Sequence, residues 1–149
     1  MSKPSLLLVE DNPDHLELTL AALEESGESH AITVVSDGKE ALDYLFCEGK
    51  YSGRSADEPP ELVLLDLGLP GMSGLEVMEH MRADPRTFFV PIVMLTSANE
   101  NSKAVMAFKG GLNSFVSKPL HYREFLEKLE QVREYWRTSN FAPLANLGA

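Results

Sequence analysis

The stretch Leu62-Val-Leu-Leu-Asp-Leu-Gly-Leu-Pro-Gly-Met-Ser-Gly74 constrains this chain most. Four consecutive apolar residues run into a carboxylate, Asp66, and the chain then breaks at Gly68, Pro70, Gly71 and Gly74. A short unbroken apolar run bounded by turn residues reads as a strand buried on both faces. In an open parallel sheet, ligands bind beyond the carboxyl ends of the strands. Asp66 is therefore expected at the mouth of such a crevice, on a rigid strand, followed by a loop that can move. Taken singly, it could equally be a strand-end Asp that caps a turn, so the rest of the chain has to decide.

Leu6–Val9 is a second run of this kind and ends in Glu10-Asp11. Asn12 suits a helix cap, with Pro13 at the first helical position. Leu16, Leu20 and Leu23 then recur at helical spacing, which predicts a helix to about Ser26, stopped by Gly27. Ala31–Val35 reads as a strand. The helix after it starts at Ser36 or Asp37 and buries Ala41, Leu42, Leu45 and Phe46. Residues 48–60 form a polar loop, long for a compact domain. After the strand Leu62–Asp66, Ser73 caps a third helix with apolar positions Leu75, Val77, Met78 and Met81, and Asp84-Pro85 ends it. Val90–Leu95 is the fourth strand and runs into Thr96-Ser97-Ala98. A weaker helix covers about 101–109, Ser114–Ser117 is the fifth strand, and Tyr122–Arg137 is the last helix. Five strands alternating with five helices predict an α/β fold with a doubly wound parallel sheet and right-handed crossovers.

Length and charge narrow the function classes. The 149 residues suit one domain, 1–149, with its core over about 5–137 and a tail at 138–149. The net charge of −10 argues against nucleic-acid binding, which rests on Lys and Arg neutralising phosphates. It argues equally against a polybasic membrane surface. The single cysteine, Cys47, excludes an internal disulfide and a cysteine-rich zinc site, and it reads as a small buried hydrophobe. No apolar run approaches the length of a membrane span. These features point to a cytoplasmic protein.

The polar residues at the strand ends belong together. Glu10 and Asp11 follow the first strand, Asp66 ends the third, Thr96 and Ser97 follow the fourth, and Lys118 follows the fifth. Singly, each is weak: the acidic pair could complement a helix N-terminus, Thr96 could be a plain strand-end hydroxyl, and Lys118 a solvated lysine. Together they gather three carboxylates, hydroxyls and an ammonium on one sheet edge. Two like charges about 5 Å apart repel by roughly 3 kcal/mol at an effective dielectric near 20. A proton, Lys118 or a hard cation must relieve that. Oxygen-only ligands with room for water suit Mg²⁺. A carboxylate nucleophile with Mg²⁺, a hydroxyl and a lysine is a set for phosphoryl transfer to Asp66.

Glu10-Asp11, Asp66 before Leu-Gly-Leu-Pro-Gly-Met-Ser-Gly, Thr96-Ser97-Ala98 and Lys118-Pro119, in that order, resemble the receiver domain of two-component response regulators. The resemblance covers roughly residues 5–137. It implies a flavodoxin-like sheet in the order 2-1-3-4-5. It also implies Asp66 as phospho-acceptor from a histidine kinase, with Thr96 and Lys118 reading the phosphoryl group. Mg²⁺ would be held by Asp11 and Asp66, by Glu10 mostly through water, and by the backbone carbonyl of Gly68. Pro119 would follow a cis peptide, and Phe115 would be the aromatic switch that turns inward when Thr96 moves. Two positions depart from the usual pattern. Phe115 lacks the hydroxyl of the commoner tyrosine, and Gly68 carries no side chain where receivers often have one.

Other functions fit less well. A phosphatase with an Asp nucleophile needs a second carboxylate two residues on as general acid, and Gly68 stands there. Nucleotide binding wants a glycine-rich loop after the first strand, where Asp11-Asn-Pro-Asp14 stands instead. The chain is expected to be a phospho-acceptor and not an enzyme, and a stand-alone regulator, because the residues after the last helix leave no room for a DNA-binding module. Its output would then be a surface: a homodimer or partner interface through the fourth helix, fifth strand and fifth helix, or a phosphorelay shuttle to a histidine phosphotransfer protein. The long loop before the third strand, the extended last helix and the tail look similar to the single-domain regulators that partner bacterial and cyanobacterial phytochromes. The implied partner is therefore a sensor histidine kinase of the bacteriophytochrome type.

Overall fold

The computed structural model describes residues 5–25, 31–55, 58–96 and 114–117, together with Arg123, Glu127 and Gln131, which are helical. Strands β1 (Ser5–Val9), β2 (Ala31–Val35), β3 (Leu62–Asp66), β4 (Ile92–Thr96) and β5 (Ser114–Ser117) form one sheet in the order β2-β1-β3-β4-β5. Every pairing is parallel. Helices α1 (Pro13–Glu25), α2 (Gly38–Leu45) and α3 (Gly74–Ala83) cover it. The flavodoxin-like order expected from the strand-end motifs is the one observed. The helix expected over about 101–109 lies outside the described residues, as does most of the helix over 122–137.

Period-two alternation divides the central strands between two cores. Leu7, Val9, Val63, Leu65, Ile92 and Met94 point to the side of α2 and α3, where they meet Ala41, Leu45, Val77, Met78 and Met81. Leu6, Leu8, Leu62, Leu64, Val93 and Leu95 point to the other side and meet Leu23, with Leu16 and Leu20 packed against them. All five residues of β3 are buried. That is why its sequence is a continuous apolar run and not an alternation. β2 lies at the edge of the sheet and exposes Ala31 and Val34.

The helix starts follow the capping residues. The Asn12 side chain accepts from the Asp14 and His15 backbone N–H groups at 2.9 and 3.2 Å. Asp37 accepts from Glu40 N–H at 2.7 Å, and Ser73 from Glu76 N–H at 3.2 Å. Each satisfies a donor that has no partner inside its helix. α1 ends at Glu25, and α3 ends where the Asp84 N–H bonds the Met81 carbonyl. Arg82 then holds the connection into β4 by donating to the Phe88 and Val90 carbonyls at 3.0 and 2.8 Å. Burial pulls its guanidinium down to about 10.

The long loop is more structured than its polar composition predicts. It forms a short 3₁₀ turn, Gly49–Tyr51, seated on α2. Tyr51 donates to Glu40 Oε2 at 2.9 Å, and Lys50 Nζ lies 2.6 Å from the same oxygen. The Arg54 guanidinium stacks 3.7 Å above the Tyr44 ring, bonds the Tyr44 carbonyl and donates to the Glu58 carbonyl at 2.9 Å. Cys47 differs from the expected buried hydrophobe. It is half-buried, at φ 57°, with Sγ 3.6 Å from Arg54. It ends α2 in the left-handed conformation that helix ends more often give to glycine.

The Lys50 ammonium, with the Ser36 N–H, holds the Glu40 carboxyl at about 2, below its ordinary 4.5. Because the folded value is the lower one, this contact stabilises fully above about pH 4.5 and is lost as the pH falls toward 2. Lys50 is exposed, so salt screens the pair and it adds little to stability. Urea midpoints at low salt should fall between about pH 5 and pH 3, and less steeply for Lys50→Met. Equal slopes for the two proteins would remove the Glu40 cluster from the acid response.

Candidate functional site

The site forms where β1 and β3 end side by side. Val9 lies opposite Leu65 in the parallel register, so Glu10, just past β1, stands beside Asp66, the last residue of β3. Glu10 continues the ladder by donating its N–H to the Val35 carbonyl at 3.0 Å. One carboxylate oxygen from each of Glu10, Asp11 and Asp66 lies within 4.8 Å of the others. Glu10 is 2% exposed and Asp66 3%, while Asp11 is exposed. Two of the three charges are thus held away from water, which makes their proximity costly without a counter-charge.

Local hydrogen bonds aim these groups. Asp66 Oδ1 accepts the Gly68 N–H at 2.9 Å, which turns the chain back over its own carboxylate. Glu10 Oε2 accepts the Asn12 N–H at 3.3 Å, and His15 Nδ1 stands 3.9 Å from Glu10 Oε1. The four histidines lack metal spacing in the sequence and none reads as a ligand, yet His15 stands beside Glu10. The signal was its place in the first turn of α1, five residues after Glu10.

The loop expected to be movable is anchored at alternate residues. Leu67 and Leu69 are buried in the core, while Gly68, Pro70 and Gly71 face outward. Gly71 has φ 70°, which glycine adopts without strain. Gly74 opens α3 directly against the β3 backbone: a Cβ there would lie 2.5 Å from the Asp66 carbonyl oxygen and 2.9 Å from Leu67 Cα. Only a glycine lets α3 start this close to the Asp66 peptide.

On the other side of β3, Leu95 lies opposite Asp66, so the backbone of Thr96 follows one residue on along the same edge, opposite Ser117. Phe115 lies in β5, opposite Met94. Lys118 and Pro119 lie outside the described residues. The donor set is all oxygen, two carboxylates buried and one open to solvent, with the exposed Gly68 beside them. Such a set fits a hard divalent cation that keeps part of its water.

The response regulator receiver domain family matches residues 6–130. The chain belongs to that family. Among curated relatives, the probable methanogenesis regulatory protein FilR2 of Methanothrix harundinacea is 38% identical over 139 residues, covering 93% of this chain and 86% of FilR2. Among solved structures, the bacteriophytochrome response regulator RtBRR superposes with a TM-score of 0.80 at 43% identity, covering 87% of this chain and 77% of that one. The Mn²⁺-bound form of response regulator Rcp1 superposes with a TM-score of 0.74 at 25% identity, covering 93% and 97%. Rcp1 of Synechocystis is also a curated relative, 26% identical over 140 residues. This receiver is therefore related to phytochrome response regulators. Among its described residues, no helix is long and apolar enough to cross a membrane.

The receiver's acidic cluster has a measurable cost. Like charges within 4.8 Å repel by about 3 kcal/mol at an effective dielectric near 20. Asp66→Asn should therefore raise metal-free stability by about 1 to 3 kcal/mol and reduce the stabilisation given by millimolar Mg²⁺. Thermal melts with EDTA and with Mg²⁺ read both effects. An unchanged metal-free midpoint would mean that the cluster carries no net repulsion.

Proposed function

We propose that this receiver accepts a phosphoryl group on Asp66 from the phosphohistidine of a sensor histidine kinase, with Mg²⁺ held by Asp11, Asp66, the Gly68 carbonyl and, mostly through water, Glu10. The observation that carries this reading is the three-carboxylate cluster within 4.8 Å at the carboxyl edge of the sheet. In the transfer, an Asp66 oxygen forms a bond to phosphorus as the P–N bond to the kinase histidine breaks, and an acyl phosphate results. Bound Mg²⁺ would supply neutralisation of the phosphoryl oxygens. The Gly68 N–H keeps one Asp66 oxygen engaged, so the carboxylate presents a fixed face to the donor.

Thr96 and Lys118 take the phosphoryl oxygens, and Phe115 turns with Thr96 as the switch. The receiver acts as phospho-acceptor and partner-binding regulator. Mn²⁺ in the Rcp1 structure supports a divalent ion in a related protein. A kinase of the phytochrome type is supported by the likeness to RtBRR. This receiver acts in the cytoplasm. Its output is a homodimer through the segment before β5, β5 itself and the segment after it.

Two measurements test this. Incubation with a phosphorylated phytochrome-type kinase should label the parent chain, and Asp66→Asn or EDTA should abolish the label. Labelling of Asp66→Asn at the parental rate would refute the assignment, and rapid labelling by other kinases alone would refute the phytochrome link. Lys118→Ala should keep the fold but blunt the response. Sedimentation with Mg²⁺ and beryllofluoride should convert the parent, but not Asp66→Asn, from monomer to dimer. Monomers throughout would shift the reading to a phosphorelay shuttle that passes the group to a second histidine.

A further inference from the structure

Gly38 stands in the first turn of α2, far in sequence from Asp66, and packs against the loop that follows Asp66. A Cβ at Gly38 would lie 2.8 Å from the Met72 carbonyl oxygen, 3.0 Å from Met72 Cβ and 2.9 Å from Val77 Cγ2. Gly38 is buried in α2. A side chain here would have to displace either the helix or the loop.

The helix is the better anchored of the two. Its N-terminus is capped by Asp37, and Glu40 returns to accept the Ser36 N–H at 3.0 Å. Glu40 also receives Tyr51 and Lys50 from the long loop. Ala41 and Leu45 are buried in the same core as Val77 and Met81. The Gly68–Ser73 loop is held at Leu67 and Leu69 but has its outer residues in solvent and a left-handed turn at Gly71, next to Met72. Pressure at the Met72 carbonyl therefore moves the loop, and through it Gly68 and its contact with Asp66.

We infer that Gly38 is a positioning residue for the phospho-acceptor loop: the missing side chain lets α2 hold the Met72 peptide where Gly68 can serve the metal and the Asp66 carboxylate. This rests on the reading of Asp66 and Mg²⁺ given above and extends it to a residue outside the strand-end motifs. α2 and the long loop seated on it thereby become part of the support of the site. Differences in that loop would then reach the site without touching it.

The test compares Gly38→Ala with Leu45→Ala, a core change farther along the same helix. Mg²⁺ affinity is measured by calorimetry, and amide hydrogen exchange of residues 68–73 is measured in the metal-free chain. Gly38→Ala should weaken Mg²⁺ binding about tenfold, as losses of outer-shell support do, and should speed exchange in the loop. Leu45→Ala should lose stability but keep parental Mg²⁺ affinity and loop exchange. Should Gly38→Ala not fold, Gly38→Ala/Val77→Ala frees the Val77 contact and leaves the Met72 carbonyl contact, with Val77→Ala alone as reference. Parental affinity and exchange in the Gly38 variant would overturn the positioning role, as would an equal loss in Leu45→Ala. A parent chain that binds neither Mg²⁺ nor beryllofluoride would overturn both this role and the reading of Asp66 beneath it.

Discussion

The site depends on β3 being buried on both faces. A strand with helices on each side cannot shift its register without moving a whole set of apolar side chains into water. Leu62–Leu65 supply that set, divided between the two cores, and Asp66 is the residue at which the strand leaves them. The position of the carboxylate is thus set by apolar burial several residues away. The hydrogen bond it accepts from the Gly68 N–H orients it but does not place it.

A rigid strand end allows a costly cluster to persist. Glu10 and Asp66 are both almost fully buried, and Asp11 stands at the open side. Parallel pairing of β1 with β3 sets these groups side by side, because consecutive ladder positions end together. Repulsion in such a cluster is what a bound cation would relieve. The loop after Asp66 shares this logic. Leu67 and Leu69 fasten it inward, and Gly74 lets α3 begin against the Asp66 carbonyl. Surface contacts such as Lys50 with Glu40 act at one remove, by fixing the helix that backs the loop.

Much of this was legible in the residues. Continuous apolar runs gave the strands, and Asn12, Asp37 and Ser73 marked the helix starts because few other residues can accept from the free N–H groups there. The grouping of Glu10, Asp11 and Asp66 followed from strand order once the sheet was taken as parallel. The long loop was harder to read. Its polar composition hides Tyr51, which meets Tyr44 of α2 edge-on, and Arg54, which stacks on that Tyr44 ring, and cation–π and edge contacts leave no period in a sequence. Cys47 was misjudged for a related reason: a left-handed helix end is a property of the backbone path, not of the thiol.

By itself, the sequence determined the order of elements, the strand ends that carry the chemistry and the oxygen character of the donor set, since these follow from local pattern and residue type. Only the tertiary structure decided which carboxylates are shielded and that Gly38 lies against the loop after Asp66. Those facts depend on the closeness of segments far apart in the chain. Closeness of that kind is set by how side-chain volumes fill the space between layers, and no run of neighbouring residues records it.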